Sequence, residues 1–117
     1  MSYKSPTVYV DHILECIEDI EQCLHGYMKD NFIEDKVVQA AVLRNLQVMC
    51  ESTQKLPEHL KLKYASVKWR IISDFRNVLV HDYFGIDYES IWKTIEIDLP
   101  ALKQVILQMK QELIYES

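Results

Sequence analysis

The chain has 117 residues, 49% of them apolar and 26% charged, which is the balance of one compact globular domain spanning residues 1–117 and too short for two. Two Gly and three Pro argue against a loop-rich or disordered polymer, and no apolar run approaches the ~18 residues of a membrane span. No signal-peptide pattern opens the chain, so a cytoplasmic protein without membrane contact is expected. The net charge of -5 is unevenly spread. Residues 55–76 hold Lys55, Lys61, Lys63, Lys68, Arg70 and Arg76 against Glu58 and Asp74, a local +4 that leaves -9 elsewhere. An acidic body with one basic stretch can stay soluble and still hold a phosphate backbone, although a wet lysine-rich loop explains the same stretch more plainly.

Helical periodicity governs the chain. Ser5-Pro6 reads as a cap and first helical position, followed by an apolar stripe of Ile13, Ile17, Ile20, Leu24 and Tyr27, with Gly26 near the exit. A second helix is expected from about Glu34 to Lys55, with Val38, Ala41, Val42, Leu46 and Met49 inward, broken by Pro57. A basic connector then leads to a third helix starting near Ser66 and leaving at Gly85. Tyr88 to about Ile97 reads as a short fourth helix. Pro100 opens a fifth, with Leu102, Val105, Ile106, Met109 and Leu113 inward. The expectation is an all-α, antiparallel up-and-down bundle of about five helices.

Cys16, Cys23 and Cys50 show no C-x-x-C spacing and read as free buried thiols. His12 and Cys16 are four apart, yet no second pair completes a metal site, and neither metal nor cofactor is expected.

The third helix ends in "FRNVLVHDYFGID", which crowds Arg76, Asn77, His81, Asp82 and Tyr83 into eight positions. On a regular helix Asn77 and His81 share a face and Arg76 and Tyr83 a neighbouring stripe, with Phe75, Leu79 and Val78 as packing face. A His–Asn pair buried between helices, with Tyr83 as anchor, would account for part of this. The chemistry suggests more. Histidine passes protons near neutral pH, and arginine grips phosphate with parallel donors. Together they can cleave RNA without a metal: the base takes a 2'-hydroxyl proton, the oxygen attacks the adjacent phosphate, and the cation stabilises the developing charge. One histidine does not readily serve as base and acid in the same step, so a symmetric dimer bringing two motifs together is inferred.

The order Arg76-x4-His81-x-Tyr83 within "WRIISDFRNVLVHDYFGID" resembles the signature of HepT-like toxins of the HEPN superfamily. "AAVLRNLQVMCES" resembles that family's Arg-Asn-Leu region and "IDLPALKQVI" its last helix. The resemblance implies a helical HEPN homodimer with its site in the intersubunit cleft. It implies a metal-independent endoribonuclease toxin in which Arg76 and His81 are the catalytic pair and Asn77 supports them. Tyr83 would be the residue to which an MNT-type nucleotidyltransferase antitoxin transfers AMP. Lys61, Lys63, Lys68 and Arg70 are candidate RNA contacts. Where many relatives carry a Gly-Glu-Ala step on the second helix, this chain reads Cys50-Glu51-Ser52. Arg44 and Glu51, seven apart on one stripe, fit either a support for the cleft or a solvated ion pair, and are left outside the site. The alternative is a non-catalytic HEPN module binding RNA, a nucleotide or a protein partner.

Overall fold

The computed structural model describes residues 5–116, with the backbone alone for Tyr83 and Glu116. Six α-helices and one 3-10 turn account for the fold, with no strand among the described residues. They are α1 (Pro6–Cys23), α2 (Lys29–Glu34), α3 (Lys36–Gln54), α4 (Glu58–Lys63), α5 (Trp69–His81), the turn Tyr83–Gly85, and α6 (Tyr88–Glu116).

Local chemistry sets most boundaries. The Ser5 hydroxyl accepts from the Thr7 N–H at 3.3 Å and Pro6 occupies the first turn, as the sequence suggests. After Cys23 the chain turns through Gly26 at φ +80°, a conformation that glycine adopts without steric cost. The Asp35 carboxylate caps α3 by accepting from the Val38 N–H at 3.1 Å.

α3 packs against α1 on one side and α5 on the other, and α1 packs in turn against α6. Between them Val10, Ile13, Ile17, Ile20, Val42, Leu46, Cys50, Ile106 and Met109 lose all contact with solvent. Each large apolar side chain so buried is worth about 1.5–3 kcal/mol relative to exposure. Leu24 and Tyr27 lie past the end of α1 and are half-buried.

Four expectations change. The six-residue α2 was not foreseen; it drives Phe32 into the core edge-on to Tyr88, with ring centroids 6.2 Å apart, and 5.5 Å from the Trp92 ring. Buried Gln39 locks it from α3 by donating to the carbonyls of Phe32 and Ile33 at 2.9 and 2.7 Å. The basic connector contains a helix, α4, whose Leu60 is fully buried. The third helix begins at Trp69 rather than Ser66, because the Trp69 indole N–H donates to the carbonyls of Lys61 and Tyr64 and ties the connector to its start. The expected fourth and fifth helices are one, since α6 runs 29 residues through Pro100. Proline removes one backbone donor, but Glu96 and Pro100 are both exposed, so water can take up the orphaned Glu96 carbonyl.

Candidate functional site

α5 is the most two-faced helix of the molecule. Leu79 is buried and Trp69, Ile72 and Phe75 are half-buried, while Ile71 and Val78 stand 58% and 45% exposed. Val78 therefore belongs to the outer face and not to the packing face assigned from the sequence. Ile71 and Val78 are seven residues apart and lie on one line of the helix.

Arg76 points at α3. Its Nη2–H donates to Glu51 Oε2 at 3.2 Å, in a pair with 28% and 36% of the two side chains exposed. Its Nη1–H donates to Asn77 Oδ1 at 3.4 Å, near the outer limit of a hydrogen bond. The Nε–H is buried and meets no acceptor among the described residues. An unpaired buried donor of this kind costs about 1–3 kcal/mol, whereas a half-exposed ion pair returns about 0–1 kcal/mol. The arrangement is poor as a stabilising device. It serves better to hold one edge of a guanidinium while keeping another available.

Glu51 is thus the residue that sequence reasoning left out. The expected partner, Arg44, is exposed on α3, and Glu51 reaches across to α5 instead. The available signal was the Cys50-Glu51-Ser52-Thr53 step itself. Cys50, Ser52 and Thr53 are buried, so the lone carboxylate between them sits where α3 meets a neighbour. Cys50 fits the core outright, with burial pushing its thiol up to about 12.

His81 closes α5, exposed to solvent, with Asn77 one turn before it and also exposed. Because α5 stays regular to His81, Arg76 and His81 are separated by about 7.5 Å along the axis and about 140° around it. Within one chain they do not face each other.

Beyond His81 the sequence expectation fails on a point of geometry. The α-helix does not continue to Gly85: Asp82 is its C-cap and Tyr83–Gly85 form a 3-10 turn. The seven-residue stripe shared by Arg76 and Tyr83 is therefore not present, and the Tyr83 side chain lies outside the described residues. Gly85 has no left-handed backbone; a Cβ there would lie 2.6 Å from Asp82 Oδ1, so a larger residue would have to turn the exposed Asp82 side chain aside.

The basic candidates divide. Lys68 and Arg70 are exposed at the start of α5 and Lys61 is half-buried on α4. Lys63 is engaged by Glu112 of α6 at 3.2 Å. His12 is exposed while Cys16 is buried; all three cysteines are free, but Cys23, at the end of α1, is half-buried and not buried as expected; and among the described residues no three His, Cys, Asp or Glu gather as a metal-ligand set. A hollow of about 650 Å³ beside the α1–α3 connection, lined by Tyr27, Asn31 and Asp35 among others, includes none of the residues above.

Comparison with known proteins converges on one description. Residues 13–109 match the family model described as ribonuclease HepT-like. A provisionally named RNase of Caldanaerobacter subterraneus is 32% identical over 93% of this chain and 97% of its own length. A provisionally named ribonuclease HepT of Thermococcus cleftensis is 36% identical over 81% of this chain and 86% of its own. A Methanocaldococcus jannaschii protein, named for gamma-glutamylcyclotransferase and provisionally for RNase activity, is 34% identical over 94% of this chain, which spans half of that relative's length. No solved structure matches.

Proposed function

The chain belongs to the HepT-like ribonuclease family, and from that premise we propose that it is a metal-independent endoribonuclease, the toxin of a pair whose antitoxin is a nucleotidyltransferase. The observation that carries this reading is the partition of α5. Arg76 is held at one edge by Glu51 with a weakly engaged Nη1, and His81 stands exposed at the helix end with Asn77 one turn away.

In the proposed step an imidazole nitrogen of His81 takes the proton of a ribose 2'-hydroxyl. The 2'-oxygen attacks the adjacent phosphorus and the bond to the 5'-oxygen breaks. The departing oxygen is protonated by a second imidazolium, leaving a 2',3'-cyclic phosphate and a 5'-hydroxyl. Arg76 neutralises the charge that builds on the non-bridging oxygens. Asn77 orients the imidazole or contacts the phosphate.

The second imidazole and the angular gap have one remedy in this reading, a homodimer. A second copy across a twofold axis on the outer face of α5 would cover Ile71 and Val78 and bring the two chains' His81 side chains, which flank that face, into one cleft. RNA would enter past Lys68, Arg70 and Lys61. Lys63 contributes less, being held by Glu112.

Silencing follows from charge. Transfer of AMP from ATP to the Tyr83 hydroxyl releases pyrophosphate and leaves an anionic phosphodiester two residues from His81. That group repels the RNA backbone and competes for Arg76. The setting is the cytoplasm, where an MNT-type partner and RNA meet the protein.

The test is RNA cleavage in excess chelator, comparing wild type with His81→Ala. We expect wild type to leave 2',3'-cyclic phosphate ends and the variant to lose cleavage while keeping its fold and RNA affinity. Folded, dimeric wild type unmodified at Tyr83 that cleaves no RNA in a varied set would replace this reading with a non-catalytic module that binds RNA or a partner.

A further inference from the structure

We infer that Glu51 is a positioning residue for RNA cleavage: it holds the Arg76 guanidinium by one edge so that the opposite edge is presented to the scissile phosphate. The inference rests on the ribonuclease reading given above and adds a residue from a different helix to the site.

Three observations carry it. First, the contact crosses elements, from α3 to α5, and joins residues 25 apart in sequence, so it depends on how the two helices dock. Second, the two guanidinium ends are bound unequally. Nη2 is on a carboxylate at 3.2 Å, and Nη1 is on a neutral amide oxygen at 3.4 Å. A phosphate oxygen displaces the neutral amide oxygen more readily than the carboxylate, because the amide contact is the longer and lacks the ion-pair attraction. Third, Nε is buried without an acceptor among the described residues and Glu51 uses only Oε2 on Arg76. The carboxylate can thus slide to a two-point grip on Nη2 and Nε as phosphate takes Nη1, and the guanidinium stays oriented throughout. An arginine on its own samples many rotamers, so a fixed carboxylate on one edge removes most of that freedom.

The counter-charge also sets the sign of the effect on binding. Glu51 partly neutralises Arg76, so removing its charge leaves RNA binding unchanged or tighter while catalysis loses orientation. A plain structural role has neither signature. It would lower the amount of folded protein and leave kcat per folded molecule alone.

The experiment is steady-state cleavage of a fluorogenic RNA by wild type, Glu51→Gln and Glu51→Asp, with affinity for a fully 2'-O-methylated RNA measured alongside. Gln keeps an acceptor but no charge; Asp keeps the charge at shorter reach. We expect Glu51→Gln to lose about 10- to 100-fold in kcat with KM unchanged or lower, equal or tighter binding of the methylated RNA, and partial recovery of kcat in Glu51→Asp. Active wild type with Glu51→Gln at full kcat, or with a change confined to a raised KM, overturns the role of Glu51 and leaves the ribonuclease reading standing. Inactive wild type removes the ribonuclease reading and this role with it. If Glu51→Gln folds poorly, Glu51→Asp and a titration of active sites on the folded fraction decide the same point: kcat per folded molecule equal to wild type overturns the inference.

Discussion

Asp35 uses its two carboxylate oxygens separately. Oδ2 accepts from the Tyr27 hydroxyl at 2.7 Å, and Oδ1 accepts from the Val38 N–H at the start of α3. The hydrogen bond from Tyr27, then that from the backbone, hold its carboxyl below the usual aspartate range, and the same bond pushes the Tyr27 hydroxyl up. A carboxyl with a lower folded than unfolded value contributes stability that is present above the unfolded value and fades as pH falls through the folded one. Asp35→Asn keeps an acceptor for the cap but does not titrate. In urea unfolding across pH, wild type should exceed the variant by a constant margin above about pH 5, and the margin should shrink towards about pH 3. A margin that does not change with pH would mean that the carboxylate charge contributes nothing. Arg76 and Glu51 differ from this local device. The arginine is visible in sequence beside His81, whereas its partner lies 25 residues away and is paired only by helix docking.

Among the elements, α6 shows how length overrides a breaker. Proline inside a helix typically costs about 3 kcal/mol, yet α6 continues past Pro100 because Leu99, Leu102, Ile106 and Met109 are all buried along it and stopping would strand them. Pro100→Ala restores the missing N–H on an exposed face and should raise the urea midpoint, by about 1–3 kcal/mol in stability. No gain, or a loss, would mean that Pro100 sets a bend the packing needs. α2 was unreadable for the opposite reason: six residues hold too little periodicity, and its one buried residue, Phe32, finds its aromatic neighbours on α6. The end of α5 was misread because glycine was taken as the exit, while Asp82 already ends the helix three residues earlier.

For the whole molecule the open question is what covers the outer face of α5. Ile71 and Val78 are solvent-facing in one chain, and the proposed dimer buries them. Ile71→Glu with Val78→Glu should convert a dimer to a monomer by sedimentation and abolish cleavage. The helical circular dichroism should stay as in wild type, since neither residue supports the core. A variant that remains dimeric would move the interface elsewhere. The uneven charge bears on the same scale: the basic excess of residues 55–76 runs from the end of α3 through α4 into α5, the helix that carries Arg76, within an acidic chain. RNA binding should therefore weaken as salt rises.

By itself the sequence determined the all-α class, the apolar stripes of α1, α3 and α6, the Ser5-Pro6 start and the segment that carries Arg76, Asn77 and His81. These are matters of period and of neighbouring side chains, which a linear chain states directly. Tertiary structure alone decided that Glu51 meets Arg76 rather than Arg44, that Pro100 stays within one helix, and that Trp69 ties the basic connector to α5. Each depends on which surfaces meet when helices dock, and residues far apart in the chain carry no local mark of meeting.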